Sequence, residues 1–225
     1  TIPDGFENIE VAADWETVEL LPSKNQNCQV VCSESNTLQY TVKSEDNALK
    51  IERHENSQWF EHIGVFWFSS NPKITIYLPE TEYKNLSVTT SSGDVTIPKE
   101  LAFSDVTVTT ASGNLWMNAS AFQNLKLQAS SGDIFVQKFA GNSLEIGSAS
   151  GRISLEESTA DSIRLTSTSG DMILTKTSAK QEMALQASSG NISLSECDAP
   201  QITIQSDSGD ITGSLLSGKD FSVQT

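Results

Sequence analysis

Serine, glycine and aspartate side by side, as in SSGD at residues 91–94, can do chemistry in two ways. A serine on a tight turn can attack as a nucleophile, and a carboxylate in a glycine-bearing loop can hold calcium. Here, however, the phrase SSGDVTI returns as ASGNLWM, SSGDIFV, ASGRISL, TSGDMIL, SSGNISL and DSGDITG. Seven dispersed copies mark a building unit rather than a reactive turn. The position after each glycine reads Asp94, Asn114, Asp133, Arg152, Asp171, Asn191 and Asp210, so no two aspartates are consecutive. A metal array would gather carboxylates, whereas this alternation keeps like charges apart on stacked repeats.

The remaining reactive side chains form no recognisable constellation. Cys28, Cys32 and Cys197 are odd in number, and the first two, placed on one strand, would stand roughly 13 Å apart, too far to bridge. His54 and His62 have no second cysteine pair at zinc-ligand spacing. No GxSxG, HExxH, phosphate-cradling P-loop or GxGxxG occurs. The expectation is therefore a protein that is not an enzyme, with no catalytic residues, metal or cofactor.

Composition narrows the partners. Among 225 residues, 29 acidic against 14 basic side chains leave a formal charge of −15, which repels nucleic acid and anionic lipid headgroups. No apolar run is long enough to span a bilayer. The chain opens TIPDGFENIE, without an initiator Met or a basic region ahead of an apolar one, as expected of a fragment freed of any export or anchor segment.

The elements that position the SG phrases follow from their period. Gly93, Gly113, Gly132, Gly151, Gly170, Gly190 and Gly209 recur every 19 or 20 residues. Seven and five residues before each glycine stand apolar pairs, from Leu86 and Val88 to Ile202 and Ile204. Two and four residues after it stand further pairs, from Val95 and Ile97 to Leu194, with only Gly213 failing. Period-two alternation on both sides of a turn gives two short strands per coil, each with one face inside. The fold class is all-β: a right-handed parallel β-solenoid of about seven regular coils with an irregular N-terminal β cap. Glycine is expected to supply a positive φ at the corner, and the serine before it a hydroxyl that bonds the backbone. FSVQT fits the first strand of another coil, with Phe221 and Val223 inward, so either the natural protein continues or something covers this end.

Residues 81–225 carry the regular solenoid and 1–80 the cap, as one continuous domain. Within the cap, Ile9, Val11, Val18 and Leu20 fit coil slots, as do Val65, Trp67, Ile74 and Ile76 with Pro72 in the glycine position. Tyr40, Val42, Leu49 and Ile51 fit less regularly. Degenerate coils with turns near 16, 47 and 72 are the preferred reading; an antiparallel meander built on QYTVKSEDNALKIE is the alternative.

Candidate binding residues lie on the outside. Three residues after successive glycines stand Thr96, Trp116, Phe135, Ser154, Ile173, Ser193 and Thr212. Trp116 and Phe135 on adjacent coils, with Ile173 beyond them, are an unusual exposure. They fit a sugar ring or a protein partner, or else a cover formed by the aromatic run WFEHIGVFWF, which is the preferred reading. The other outward face, with Ser87, Thr107, Lys126, Glu145 and Arg164, is mixed and solvated. Inter-coil connections of about seven residues, such as QKFAGNS, are too short to wall a catalytic cleft of the polysaccharide-lyase kind.

With SSGDVTI, ITIYLPETEYKNLSVTT, the opening FENIEV and the SG-Asp/Asn turns in view, nearly the whole chain resembles the bacterial putative-adhesin family of unknown function. That resemblance implies a right-handed β-helix displayed on the cell surface or otherwise outside the cell. It also implies a membrane anchor outside this fragment and an unidentified protein or glycan partner. Some relatives are linked to envelope stress, which implies a second role: a sensing domain that binds a peptide or a membrane partner. No catalytic residues carry over.

Overall fold

The computed structural model describes residues 5–33, 38–55, 72–118, 122–217 and 220–224. These are strands and turns throughout, with no helix among the described residues. The N-terminal region contributes β1 (Asn8–Ala12), β2 (Thr17–Pro22), β3 (Gln29–Cys32), β4 (Leu38–Glu45), β5 (Ala48–Glu55) and β6 (Lys73–Leu78). Longer and shorter strands then alternate through β7 (Glu82–Thr90), β8 (Val95–Ile97), β9 (Ala102–Thr110), β10 (Leu115–Asn118), β11 (Phe122–Ala129) and β12 (Ile134–Gln137). The alternation continues in β13 (Ala140–Ser148), β14 (Ile153–Glu156), β15 (Thr159–Ser167), β16 (Met172–Thr175), β17 (Ser178–Ala187) and β18 (Ile192–Cys197). Last come β19 (Gln201–Ser206), β20 (Ile211–Leu215) and β21 (Asp220–Gln224).

From β7 onward, odd-numbered strands pair only with odd-numbered strands and even-numbered strands only with even-numbered ones, all in parallel. Each coil is thus one rung of two facing sheets, a parallel β-solenoid of about seven turns. Register places Leu86, Val106, Leu125, Leu144, Ile163, Met183 and Ile202 in one column. Facing it, Val95, Leu115, Ile134, Ile153, Met172 and Ile192 form another. The four inward columns between residues 86 and 204 are at most 5% exposed at every position. At the far end the apolar columns reach Phe221 and Val223 of β21, in register with Ile202 and Ile204 but exposed. With Ile211 and Leu215 these two line an open cavity of about 590 Å³.

The corner glycines do their work by a different physical route from the one the sequence implies. None of the seven has a positive φ. A Cβ on Gly113 would lie 1.9 Å from the carbonyl oxygen of Gly93, and one on Gly132 1.8 Å from that of Gly113. The same contact recurs up the column, so glycine is required because backbone rests on backbone there. The hydroxyl that bonds the backbone is likewise not that of the preceding serine, which is exposed. It belongs to the inward residue three before the glycine. Thr90, Thr110, Ser167 and Ser206 accept the N–H of Gly93, Gly113, Gly170 and Gly209 at 2.9–3.1 Å.

In the N-terminal region, spatial order departs from chain order. β1 lies between β5 and β7, and β2 between β6 and β8, parallel on both sides. The first coil of the chain is therefore interposed between a layer formed by β5 and β6 and the layer formed by β7 and β8. Residues 79–81 carry the chain from β6 past this inserted coil to β7. Ile9, Val11, Val18 and Leu20 occupy coil slots as expected, and so do Ile74 and Ile76, whose register brings Pro72 level with Glu16. Val65, Trp67, His62 and the run WFEHIGVFWF lie outside the described residues. Tyr40, Val42, Leu49 and Ile51 are not the two arms of a coil. Asp46 and Asn47, both at positive φ (52° and 60°), close β4 onto β5 as an antiparallel hairpin. Leu49 and Ile51 consequently pair with Ile9 and Val11. β3 runs antiparallel on β6, so both sheets end here in antiparallel strands, a device that ends the stacking of parallel coils.

Two stability outcomes follow. Gly132→Ala should lower the unfolding free energy by about 3 kcal/mol or more, because the clash is with backbone that cannot rotate away. Ile9→Ala, although near the start of the chain, should cost about 2–5 kcal/mol, as for a central core residue. Urea unfolding of both variants checks this, with the exposed Phe221→Ala as a near-neutral reference.

Candidate functional site

Outward residues of the shorter strands stack rung by rung as Thr96, Trp116, Phe135, Ser154, Ile173, Ser193 and Thr212. The rung spacing brings the Trp116 and Phe135 rings to a centroid distance of 4.1 Å and an interplanar angle of 9°. Trp116 is 42% exposed and Ile173 38%. Ile173 does not join the ring pair: Ser154 stands between it and Phe135. The seven SG glycines lie in the corner backbone column, away from this face, and act in packing.

Beside the face runs a ladder that pairwise charge repulsion alone does not account for. The side-chain oxygen of Asp94 accepts the backbone N–H of Asn114 at 2.7 Å, and that of Asn114 accepts the N–H of Asp133 at 2.9 Å. Asp133 serves Arg152, Asp171 serves Asn191, and Asn191 serves Asp210. An Asp or Asn after each glycine thus ties one coil to the next. Arg152 is the exception, since a guanidinium carries no acceptor to offer the N–H of Asp171. At the other end of the same strand, Gln137 Nε2 donates to Glu156 across adjacent rungs at 3.1 Å.

A second polar cluster holds the interposed coil. Glu16, fully buried at the foot of the glycine column, is bonded by Arg53 Nε at 3.0 Å and accepts the backbone N–H of Asp14 at 2.7 Å. The Arg53 guanidinium lies 4.2 Å from the centre of the Trp15 ring. Burial, and then the nearby Glu16 carboxylate, push the Tyr40 hydroxyl well above the ordinary phenol range. A buried ion pair closed on itself in this way is a tether rather than a reactive centre. The exposed cross-rung pairs of the other face, Lys126 with Glu145 and Lys180 with Asp161, each at 2.8 Å, add little stability.

Cys197 is buried, and burial raises its thiol pKa, which keeps it unreactive. Cys28 is buried beside β3, which ends at Cys32, and His54 is exposed on β5. No group of three or more His, Cys, Asp or Glu among the described residues is placed to hold a metal ion. The Asx ladder, the Thr/Ser column and the Glu16–Arg53 pair are the features that reading the sequence missed. The first was signalled by the Asp or Asn at every ladder slot but that of Arg152, and the second by the Thr, Ser or Ala at every slot three before the glycine.

Two parallel sheets rolled into a rod, with an exposed aromatic pair on one side, define a β-solenoid. The chain belongs to the Toastrack DUF4097 family, whose profile matches residues 6–225. A crystal structure of a putative adhesin from Bacteroides fragilis is similar at a TM-score of 0.52 and 17% identity, covering 98% of this chain and 92% of that one. A putative cell adhesion protein from Clostridium sporogenes aligns over 100% of this chain and 96% of its own at 11% identity and a TM-score of 0.37. No curated protein matches the chain.

The ladder makes its own prediction. Arg152→Asn should restore the missing acceptor and raise stability by about 0.5–1.5 kcal/mol, readable by urea unfolding.

Proposed function

We propose that the chain is a non-catalytic binding module displayed outside the cell, an adhesin-like rod held to the membrane by an anchor beyond this segment. The observation that carries this reading is the Trp116–Phe135 pair, stacked at 4.1 Å on the outside of a rigid sheet with Trp116 42% exposed. Large aromatics displayed on a regular surface are recognition elements. The name of the Bacteroides fragilis structure, a putative adhesin, supports the adhesive role. Connections as short as the two residues between β12 and β13, or between β14 and β15, build no cleft, which supports binding over catalysis. The partner is a protein or a glycan at the cell surface, and the charge of −15 argues against nucleic acid.

The same charge favours one second reading, an envelope-sensing domain that captures a cationic peptide. Salt separates the two. Adhesion of beads coated with the protein to intact cells should fall at least tenfold for Trp116→Ala and change little between low and physiological salt. Retained adhesion in that variant contradicts the binding face, and a steep loss with salt selects the peptide-sensing role.

A further inference from the structure

The rung carrying Ser154 breaks the repeat at its corner and, on the sheet, sets a small side chain between two large apolar ones; both positions face outward. At the corner it has Arg152 where the other coils have Asp or Asn, giving up a coil-to-coil hydrogen bond. On the sheet it has a small hydroxyl between Phe135 and Ile173. A local rule broken without structural return marks a place shaped by function.

Phe135 and Ile173 are two rungs apart, about 9.6 Å at the usual strand spacing. One face of Phe135 is taken by Trp116, and the other looks across Ser154. With van der Waals contacts of about 3.5–4.0 Å on each side, this gap admits one ring lying parallel to Phe135. The floor is the Ser154 hydroxyl. Period two puts Arg152 and Glu156 on the same outer face as Ser154, one to each side of it along the strand and both exposed, with Gln137 of the preceding rung bonded to Glu156. An aromatic wall, a hydroxyl floor and a rim offering both guanidinium donors and a carboxylate acceptor suit a saturated ring edged with vicinal hydroxyls.

We infer that this notch binds one pyranose unit of a neutral glycan, stacked on Phe135 and hydrogen-bonded at its edge by Arg152 and Glu156. The inference rests on the binding-module reading and names its ligand class. Charge selects against the alternative polymers: a molecule of net charge −15 repels a polyuronate along its length, while a neutral chain meets no such barrier.

The test is isothermal titration of the full chain with neutral glucan, mannan and galactan oligosaccharides, and with polygalacturonate as the anionic control. At least one neutral glycan should bind. Ser154→Leu, which fills the notch, should weaken it at least tenfold, and Ser193→Leu, two rungs along the same column, should stay within twofold. Arg152→Asn should lose affinity even though its melting temperature rises, which separates a contact to ligand from damage to the fold. Absence of binding to all three neutral glycans, equal affinity for Ser154→Leu, or tighter binding of polygalacturonate overturns the proposal. If cell adhesion still depends on Trp116 while Ser154→Leu leaves it intact, the module binds but the notch is not its site.

Discussion

Everything in this molecule depends on how closely one coil rests on the next at the glycine corner. There the carbonyl of one glycine occupies the space a side chain would need on the glycine of the following coil. This contact holds equivalent residues in register, and register turns a repeat in sequence into columns in space. Four aliphatic columns inside, a Thr/Ser column under the corner and the Asx ladder beside it all share that spacing. So does the Trp116–Phe135 stack, whose 4.1 Å separation is what adjacent rungs produce when both carry rings. Recognition on such a surface is quantised in rungs: a small residue between two large ones makes a slot one ring wide.

Stacking also explains the N-terminal arrangement. A solenoid coil is stabilised by its neighbours on both sides, and an end coil has only one. Placing the first coil between β5–β6 and β7–β8 gives it two partners and moves the end of the stack to strands that can close it antiparallel. Glu16 is accommodated at the bottom of the glycine column because it contributes its carbonyl there, while its side chain is matched by Arg53 from the hairpin. The coil and the hairpin that closes the end are thereby coupled through one buried ion pair.

Much of this was legible from residue types alone. The 19-residue period with parity on both sides of each glycine identified the inward residues from 86 to 204, and the outward parity of Trp116, Phe135 and Ile173 placed them on one face. What stayed hidden has a common cause, in that it depends on contact between coils rather than on the pattern within one. The role of glycine looked like a torsion requirement because backbone approach from a neighbouring coil leaves no trace in a single turn. Likewise the Asp/Asn alternation looked like charge avoidance, although Asp94, Asn114, Asp133, Asp171 and Asn191 each accept the next coil's N–H. Leu49 and Ile51 have the parity of either sheet, so only the Asp46–Asn47 turn, with both residues at positive φ, decides that they extend the longer-strand sheet. The interposition of the first coil is a choice among equally patterned partners.

A rod with invariant interior and variable outer rungs is suited to presenting a short recognition face rigidly, since loss of one outward side chain leaves the columns intact. The geometry of that face is only as good as the corner contact that spaces it. A crystal structure of the Gly151→Ala variant tests this most directly. The coils containing residues 132 and 151 should be pushed apart at that corner, with the Phe135 to Ser154 spacing widened and the remaining rungs unchanged. A methyl group accommodated with the coil spacing preserved would contradict it.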